Sequence, residues 1–203
     1  SVNMKSIDDF NFRNRKALLR VDFNVPLSNE LIVTDETRII AAIPTIKKII
    51  NEGGSVILMS HLGRPEKGPE NKYSLKHIIP NLQEKLGKEV KFAGDCIGSL
   101  ALQQSKTIGT GEVILLENVR FYQEEIQGDH DFAIELAKLG DIYVNDAFGT
   151  AHRAHASTTI VAQFFEDKCA GYIMGNELAN AKKVLENPTR PFTAIMGLSL
   201  IHI

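Results

Sequence analysis

The sequence predicts an α/β protein built on a doubly wound parallel sheet with helices on both faces. Three observations lead there. Short runs of β-branched and leucine residues recur along the 203-residue chain, apolar without alternation, as strands buried on both faces must be. Amphipathic stretches of helical period separate those runs. Four of the runs close on a polar tip: Val21-Asp22-Phe23-Asn24, Ser60-His61-Leu62-Gly63-Arg64, Glu117-Asn118-Val119-Arg120 and Asn145-Asp146-Ala147-Phe148-Gly149. Open α/β sheets bind ligands outside the carboxyl ends of their strands.

The elements follow in order. Residues 17–21 form the first strand. A helix follows from Asp35/Glu36 to Asn51, with Ile39, Ile40, Ile43, Ile46, Ile49 and Ile50 at helical spacing and Gly53-Gly54 as its stop. Residues 56–59 are the second strand. A Gly/Pro-rich loop over 63–71 leads to a helix capped near Ser74 that runs to Leu86, and Gly87 stands where a helix end favours glycine. Residues 90–92 make a short third strand, 97–107 a helix, 113–116 the fourth strand, 129–139 a helix stopped by Gly140, and 142–144 the fifth strand. Right-handed crossovers are expected, while the strand order stays open. After Gly171 the pattern changes to a polar helix over 176–185, broken by Pro188, and a new strand over 191–197. That strand has no helix after it to cover its apolar faces, so the sequence reads as cut. No repeat or low-complexity tract interrupts the chain.

Composition narrows the function. Hydrophobic residues make up 43% and charged residues 24%, enough apolar content for a real core. The net charge of −2 provides no global basic field, which argues against nucleic acid and anionic lipid as partners. Cys96 and Cys169 form no CxxC and are expected reduced and buried. No stretch reaches the roughly 18 apolar residues of a membrane span and no signal-peptide core is present, so a cytoplasmic location is expected.

The strand tips carry the chemistry. Asp22 and Asn24, at i and i+2 beyond a strand, point the same way. Asp accepts only, whereas Asn accepts and donates, a pair suited to a hydroxyl flanked by carboxylate, on a loop stiffened by Pro26. The same residues also suit an Asx-turn, or an Asp-x-Asp phosphohydrolase nucleophile weakened by Asn24 at the second position. Gly63 permits a tight turn, and Arg64 offers a planar fork for phosphate or carboxylate; an arginine packed on an acidic neighbour is the plainer alternative. Arg120 either joins that site or forms a surface ion pair worth about 0–1 kcal/mol. Arg38 either joins it or pairs with Asp35. His152 and His155, three apart, have a spacing that can hold zinc, but Arg153 between them opposes a cation. The small residues over 149–157 instead permit close backbone approach to an anion, with Arg153 adding charge. Neither GxGxxG nor GxxxxGK[ST] is present. One face of one sheet is thus expected to carry Arg64, Arg120 and Arg153, with Arg20 and Arg38 nearby, as a site for a small, highly charged anion.

These residues lie in motifs that resemble the phosphoglycerate kinase family. The matching segments are Leu18-Leu19-Arg20-Val21-Asp22-Phe23-Asn24-Val25-Pro26, Asp35-Glu36-Thr37-Arg38-Ile39, Met59-Ser60-His61-Leu62-Gly63-Arg64-Pro65, Leu116-Glu117-Asn118-Val119-Arg120-Phe121, and the run from Val144 to His155. The resemblance implies a Rossmann-like three-layer domain, the N-terminal half of a two-domain hinge kinase. It implies a substrate domain over 1–172, an interdomain hinge helix over 173–188, the first strand of a nucleotide domain over 189–197 and a non-native tail over 198–203. It implies 3-phosphoglycerate and 1,3-bisphosphoglycerate as substrates, held by Asp22, Asn24, Arg38, His61, Arg64, Arg120 and Arg153, with Arg38 also catalytic. Mg2+ with ADP or ATP would bind in a missing C-terminal domain, no metal or cofactor site would lie in this segment, and the protein would be a monomer. The 203-residue chain alone would then bind substrate without turnover.

Overall fold

The computed structural model describes residues 5–147 and 153–186. The expectations for Phe148 through His152, for the break at Pro188, for the strand over 191–197 and for the tail over 198–203 lie outside the described residues. Six strands form one sheet: β1 (Lys16–Arg20), β2 (Ser55–Met59), β3 (Val90–Phe92), β4 (Val113–Leu115), β5 (Ile142–Asn145) and β6 (Lys168–Ala170). Their order is β3-β4-β2-β1-β5-β6, and every pairing is parallel. Leu18 sits opposite Ile57 on one side and Tyr143 on the other.

Two separate cores explain why the strands lack alternation. Ala17, Leu19, Val56, Leu58, Val113, Leu115, Ile142 and Val144 enter one core, while Leu18, Ile57, Met59, Ile114 and Tyr143 enter the other. A strand with helices over both faces must be apolar at every position. The first core is closed by α1 (Thr37–Asn51) through Ile39, Ile46 and Ile49, and by α2 (Ile79–Leu86) through Leu82 and Leu86. The second is closed by α3 (Gly98–Thr107) through Ala101 and by α5 (His130–Ala137) through Phe132 and Leu136.

The differences from the expected elements have local causes. The helix expected from Ser74 opens as a 3-10 turn over Leu75–Ile78 and becomes α2 only at Ile79, with proline in its first turn. A short helix, α4 (Gln123–Gln127), and a π-helical turn over Ala156–Ile160 fill stretches left without structure. Strand β6, three residues long, is too short to show a period. The last helix, α6 (Tyr172–Glu186), starts four residues before the expected Asn176. Its first turn is capped from elsewhere in the chain: the Asp146 carboxylate accepts from Ile173 N at 2.9 Å and Met174 N at 3.1 Å. The direction of winding reverses at β1, since β2 lies on one side of it and β5 on the other. That reversal opens a crevice above the carboxyl ends of the central strands.

Candidate functional site

Four neighbouring strands, β4, β2, β1 and β5, end beneath this crevice. It forms a cavity of about 650 Å³ lined by Asp22, Asn24, Arg38, His61, Arg64, Arg120 and Arg153, together with Gly63, Pro65, Glu66, Ile126 and His155. All seven residues singled out in the sequence are therefore brought to one cavity.

Beyond β1, the Asp22 carboxylate accepts from Asn24 N at 3.0 Å, which is the Asx-turn. Asn24 Oδ1 in turn accepts from Gly63 N at 2.8 Å, so the β1 and β2 tips are tied across the sheet. Ser60 Oγ adds a second tie, accepting from Phe23 N at 2.9 Å and donating to His61 O at 3.0 Å. Gly63 adopts φ +63, and a Cβ there would lie 2.5 Å from the Tyr73 ring, so this turn needs glycine. Arg38, projecting from the first turn of α1, contacts Asp22 Oδ1 at 3.4 Å and Asn24 O at 2.6 Å. The alternative pairing with Asp35 is not what forms: that carboxylate accepts from Thr37 N and Thr37 Oγ1.

Beyond β4, Glu117 and Asn118 are structural. Glu117 accepts from Ser74 Oγ at 2.6 Å and Leu75 N at 2.9 Å. Asn118, fully buried, donates to Leu62 O and Tyr73 O at 2.8 and 2.9 Å and accepts from Leu62 N and Arg120 N at 3.3 and 3.0 Å. It clamps the loop of Gly63 and Arg64 to the turn that carries Arg120. Among the described residues Arg120 makes no ion pair, and its buried Nε has no hydrogen-bond acceptor. An unsatisfied buried donor on a cavity wall is costly unless a ligand completes it. Arg64 and Arg153 are exposed at the cavity edge.

Arg20 lies next to the site, as expected, but wholly buried: it is in β1 two residues after Leu18, facing the second core, and touches the cavity wall through His61. It donates to Ser157 Oγ at 2.8 Å, to Val21 O, and to His61 Nδ1 at 3.0 Å. Ser157 donates its hydroxyl to the buried Glu125, whose Oε1 also accepts from Ser157 N at 2.8 Å. Glu125 gave no signal in the sequence and Ser157 only as one of the small residues over 149–157; a charged residue inside an apolar strand run was the one available clue that a buried counter-charge existed. His155, which the sequence offers with His152 at a zinc-ligand spacing, is buried at the cavity wall, while His152 lies outside the described residues.

The electrostatics follow from this crowding. Burial, and then the neighbouring Arg20 and Arg120 charges, push the His61 pKa down to about 2, so its imidazole is neutral at physiological pH. Arg120 is lowered first by burial and then by Arg20, with Arg64 and Arg153 adding repulsion and Glu125 opposing it. Guanidinium pKa values are high enough that the arginines remain charged. Cationic side chains held together over a sheet end favour a compact anion over a neutral or cationic ligand.

Comparison with known proteins agrees with the geometry. The family model described as phosphoglycerate kinase matches residues 7–201. Phosphoglycerate kinase of Chlorobium limicola is 52% identical over 200 residues, which is 98% of this chain and 50% of that protein. The Porphyromonas gingivalis phosphoglycerate kinase is 47% identical over 221 residues, covering 97% of this chain and 53% of the relative. Among solved structures, phosphoglycerate kinase from Coxiella burnetii matches with TM-score 0.82 and 39% identity over 93% of this chain and 46% of its own. That from Pyrococcus horikoshii matches with TM-score 0.82 at 31% identity, over 93% and 47%. The chain spans about half the length of the curated relatives it matches.

Proposed function

The chain belongs to the phosphoglycerate kinase family, and on that premise we propose that it is the part of such a kinase that binds 3-phosphoglycerate and 1,3-bisphosphoglycerate. The reaction is the reversible transfer of a phosphoryl group between 1,3-bisphosphoglycerate and ADP, giving 3-phosphoglycerate and ATP. The observation that carries this reading is the convergence of four arginines and His61 on one cavity above four adjacent strands.

Each residue has a role consistent with its surroundings. Asp22 Oδ2 accepts from the substrate hydroxyl, and the Asn24 amide donates to the carboxyl end, since Asn24 Oδ1 is engaged by Gly63. His61, Arg64, Arg120 and Arg153 hold the phosphate that is not transferred, and Arg120 Nε gains there the acceptor it lacks. Arg38 is half exposed, and its bridge to Asp22 spans 3.4 Å in high dielectric. Such bridges are worth about 0–1 kcal/mol, and the second contact of the same nitrogen, to Asn24 O, is also solvent-exposed, so Arg38 exchanges both for the equatorial oxygens of the transferring group. No covalent intermediate is required, because positioning and electrostatics supply most of the acceleration in phosphoryl transfer. The phosphohydrolase alternative gains nothing: where it needs a second acid stands Asn24, already accepting a backbone N–H.

The Mg2+–nucleotide partner does not fit these residues. Among the described residues no group of three His, Cys, Asp or Glu is placed for a metal ion, and in the cavity four arginines outnumber the two carboxylates, Asp22 and Glu66. Among the described residues no helix is long and apolar enough to cross a membrane; a cytoplasmic, monomeric enzyme accompanies the reading. A calorimetric titration tests it. 3-Phosphoglycerate should bind at least a hundredfold more tightly than glycerate, because losing two charge-assisted hydrogen bonds of about 1.5–3 kcal/mol each exceeds that factor. Equal affinities would remove the phosphate-binding role.

A further inference from the structure

We propose that Glu125 is a positioning residue of this site: through Ser157 it holds Arg20, and Arg20 fixes His61 as the tautomer protonated on Nε2, with that N–H serving the cavity. The use of that N–H by a substrate phosphate rests on the reading above; the relay itself does not.

The direction of every hydrogen bond follows from donor chemistry. Arginine has donors and no acceptor, so the 3.0 Å contact between Arg20 Nη2 and His61 Nδ1 requires an unprotonated Nδ1. A neutral imidazole with Nδ1 accepting carries its proton on Nε2. Arg20 Nε donates to Ser157 Oγ at 2.8 Å, which obliges the single Ser157 proton to go to Glu125. Glu125 Oε1 accepts from Ser157 N as well, so the carboxylate fixes both the hydroxyl and the backbone of the π-helical turn. Arg20, Glu125 and Ser157 have no exposed surface, and His61 is 4% exposed. A guanidinium on the core-facing side of a central strand carries a heavy desolvation penalty, and Glu125, one hydroxyl away, provides the compensating charge.

The same arrangement keeps His61 from becoming a cation. The groups that face it are Arg20 from β1, Arg38 from α1, Arg120 from the turn after β4 and His155 from the segment after β5. A second proton on the ring would have to displace the Arg20 contact and join these charges. His61 therefore gives the cavity one hydrogen bond that is unchanged across the neutral and mildly acidic range, while the arginines supply the charge.

The test uses the 203-residue chain labelled with 15N. Long-range 1H–15N correlations of the imidazole report which ring nitrogen is protonated. In the wild type, His61 should show Nε2 protonated and Nδ1 unprotonated, unchanged from pH 5 to pH 8. Glu125→Gln should lose that single state, giving a mixed or titrating ring, and affinity for 3-phosphoglycerate should fall about tenfold with it. Ser157→Ala removes only the bridging hydroxyl and should act in the same direction should the Gln variant not fold. A wild-type ring protonated on Nδ1, or a ring identical in wild type and Ser157→Ala, overturns the proposal. A wild-type chain with the stated tautomer and its loss in the variants, yet without affinity for 3-phosphoglycerate, supports the relay and removes the substrate reading.

Discussion

Replacing His61 by glutamine should make the folded chain less sensitive to acid. His61 is 4% exposed, and its pKa is pushed from the ordinary 6.5 to about 2 by burial and by Arg20 and Arg120. Below pH 6.5 the unfolded chain takes up a proton at this position, whereas the folded chain does not until about pH 2. Stability tied to His61 is therefore whole above pH 6.5 and drains away as the pH falls toward 2. Each unit of pH in that window costs about 1.4 kcal/mol, so at pH 5 about 2 kcal/mol has gone relative to pH 7.5. Glutamine keeps an acceptor for Arg20 and a donor for the cavity but cannot titrate. Urea unfolding followed by far-UV circular dichroism at both pH values gives the two differences directly. Carboxylates common to both chains cancel in the comparison. The wild type should lose about 2 kcal/mol more than His61→Gln between pH 7.5 and pH 5. Equal losses in the two chains would refute the burial of a neutral imidazole.

Other outcomes follow from the same geometry. Arg64→Lys should weaken 3-phosphoglycerate binding about tenfold despite the retained charge, because the planar fork is lost; unchanged affinity in calorimetry would exclude direct contact. Asn118→Ala removes four hydrogen bonds from a fully buried side chain. It should cost on the order of 3 kcal/mol in denaturant unfolding, and a loss below about 1 kcal/mol would mean the clamp is dispensable. Arg38→Ala should leave thermal stability almost unchanged, since its bridge is exposed. In a chain that carries the nucleotide-binding part, it should lower kcat far more than it raises KM; equal effects on both would reduce Arg38 to a binding residue.

Much of the site was legible because its residues stand directly after apolar runs. Asp22, His61, Arg64 and Arg120 needed only the rule that parallel strands deliver their carboxyl ends to one side. That Arg20 lies near the site was legible, but its complete burial was not, for a definite reason. At the end of a strand, whether a long side chain meets solvent or core depends on which face the next element covers, and here the cover comes from Ser157, 137 residues away. Glu125 follows Glu124 in the first turn of α4, a helix the sequence pattern does not show, so nothing local separates the buried carboxylate from the exposed one. The start of α6 was late by four residues because its cap, Asp146, belongs to the β5 tip. The strand order, too, is written in long-range pairing such as Ala17 with both Val56 and Ile142, which no local period encodes.

The central claim is that distant cationic side chains act together on one phosphorylated acid. Titrating 3-phosphoglycerate into the 15N-labelled chain while following backbone amides and arginine Nε–H signals tests this most directly. Saturable shifts should be confined to the tips of β1, β2 and β4 and to Arg153, with Arg120 Nε–H moving furthest as it gains an acceptor. Shifts spread evenly over the surface lysines and arginines, rising linearly without saturation, would contradict it.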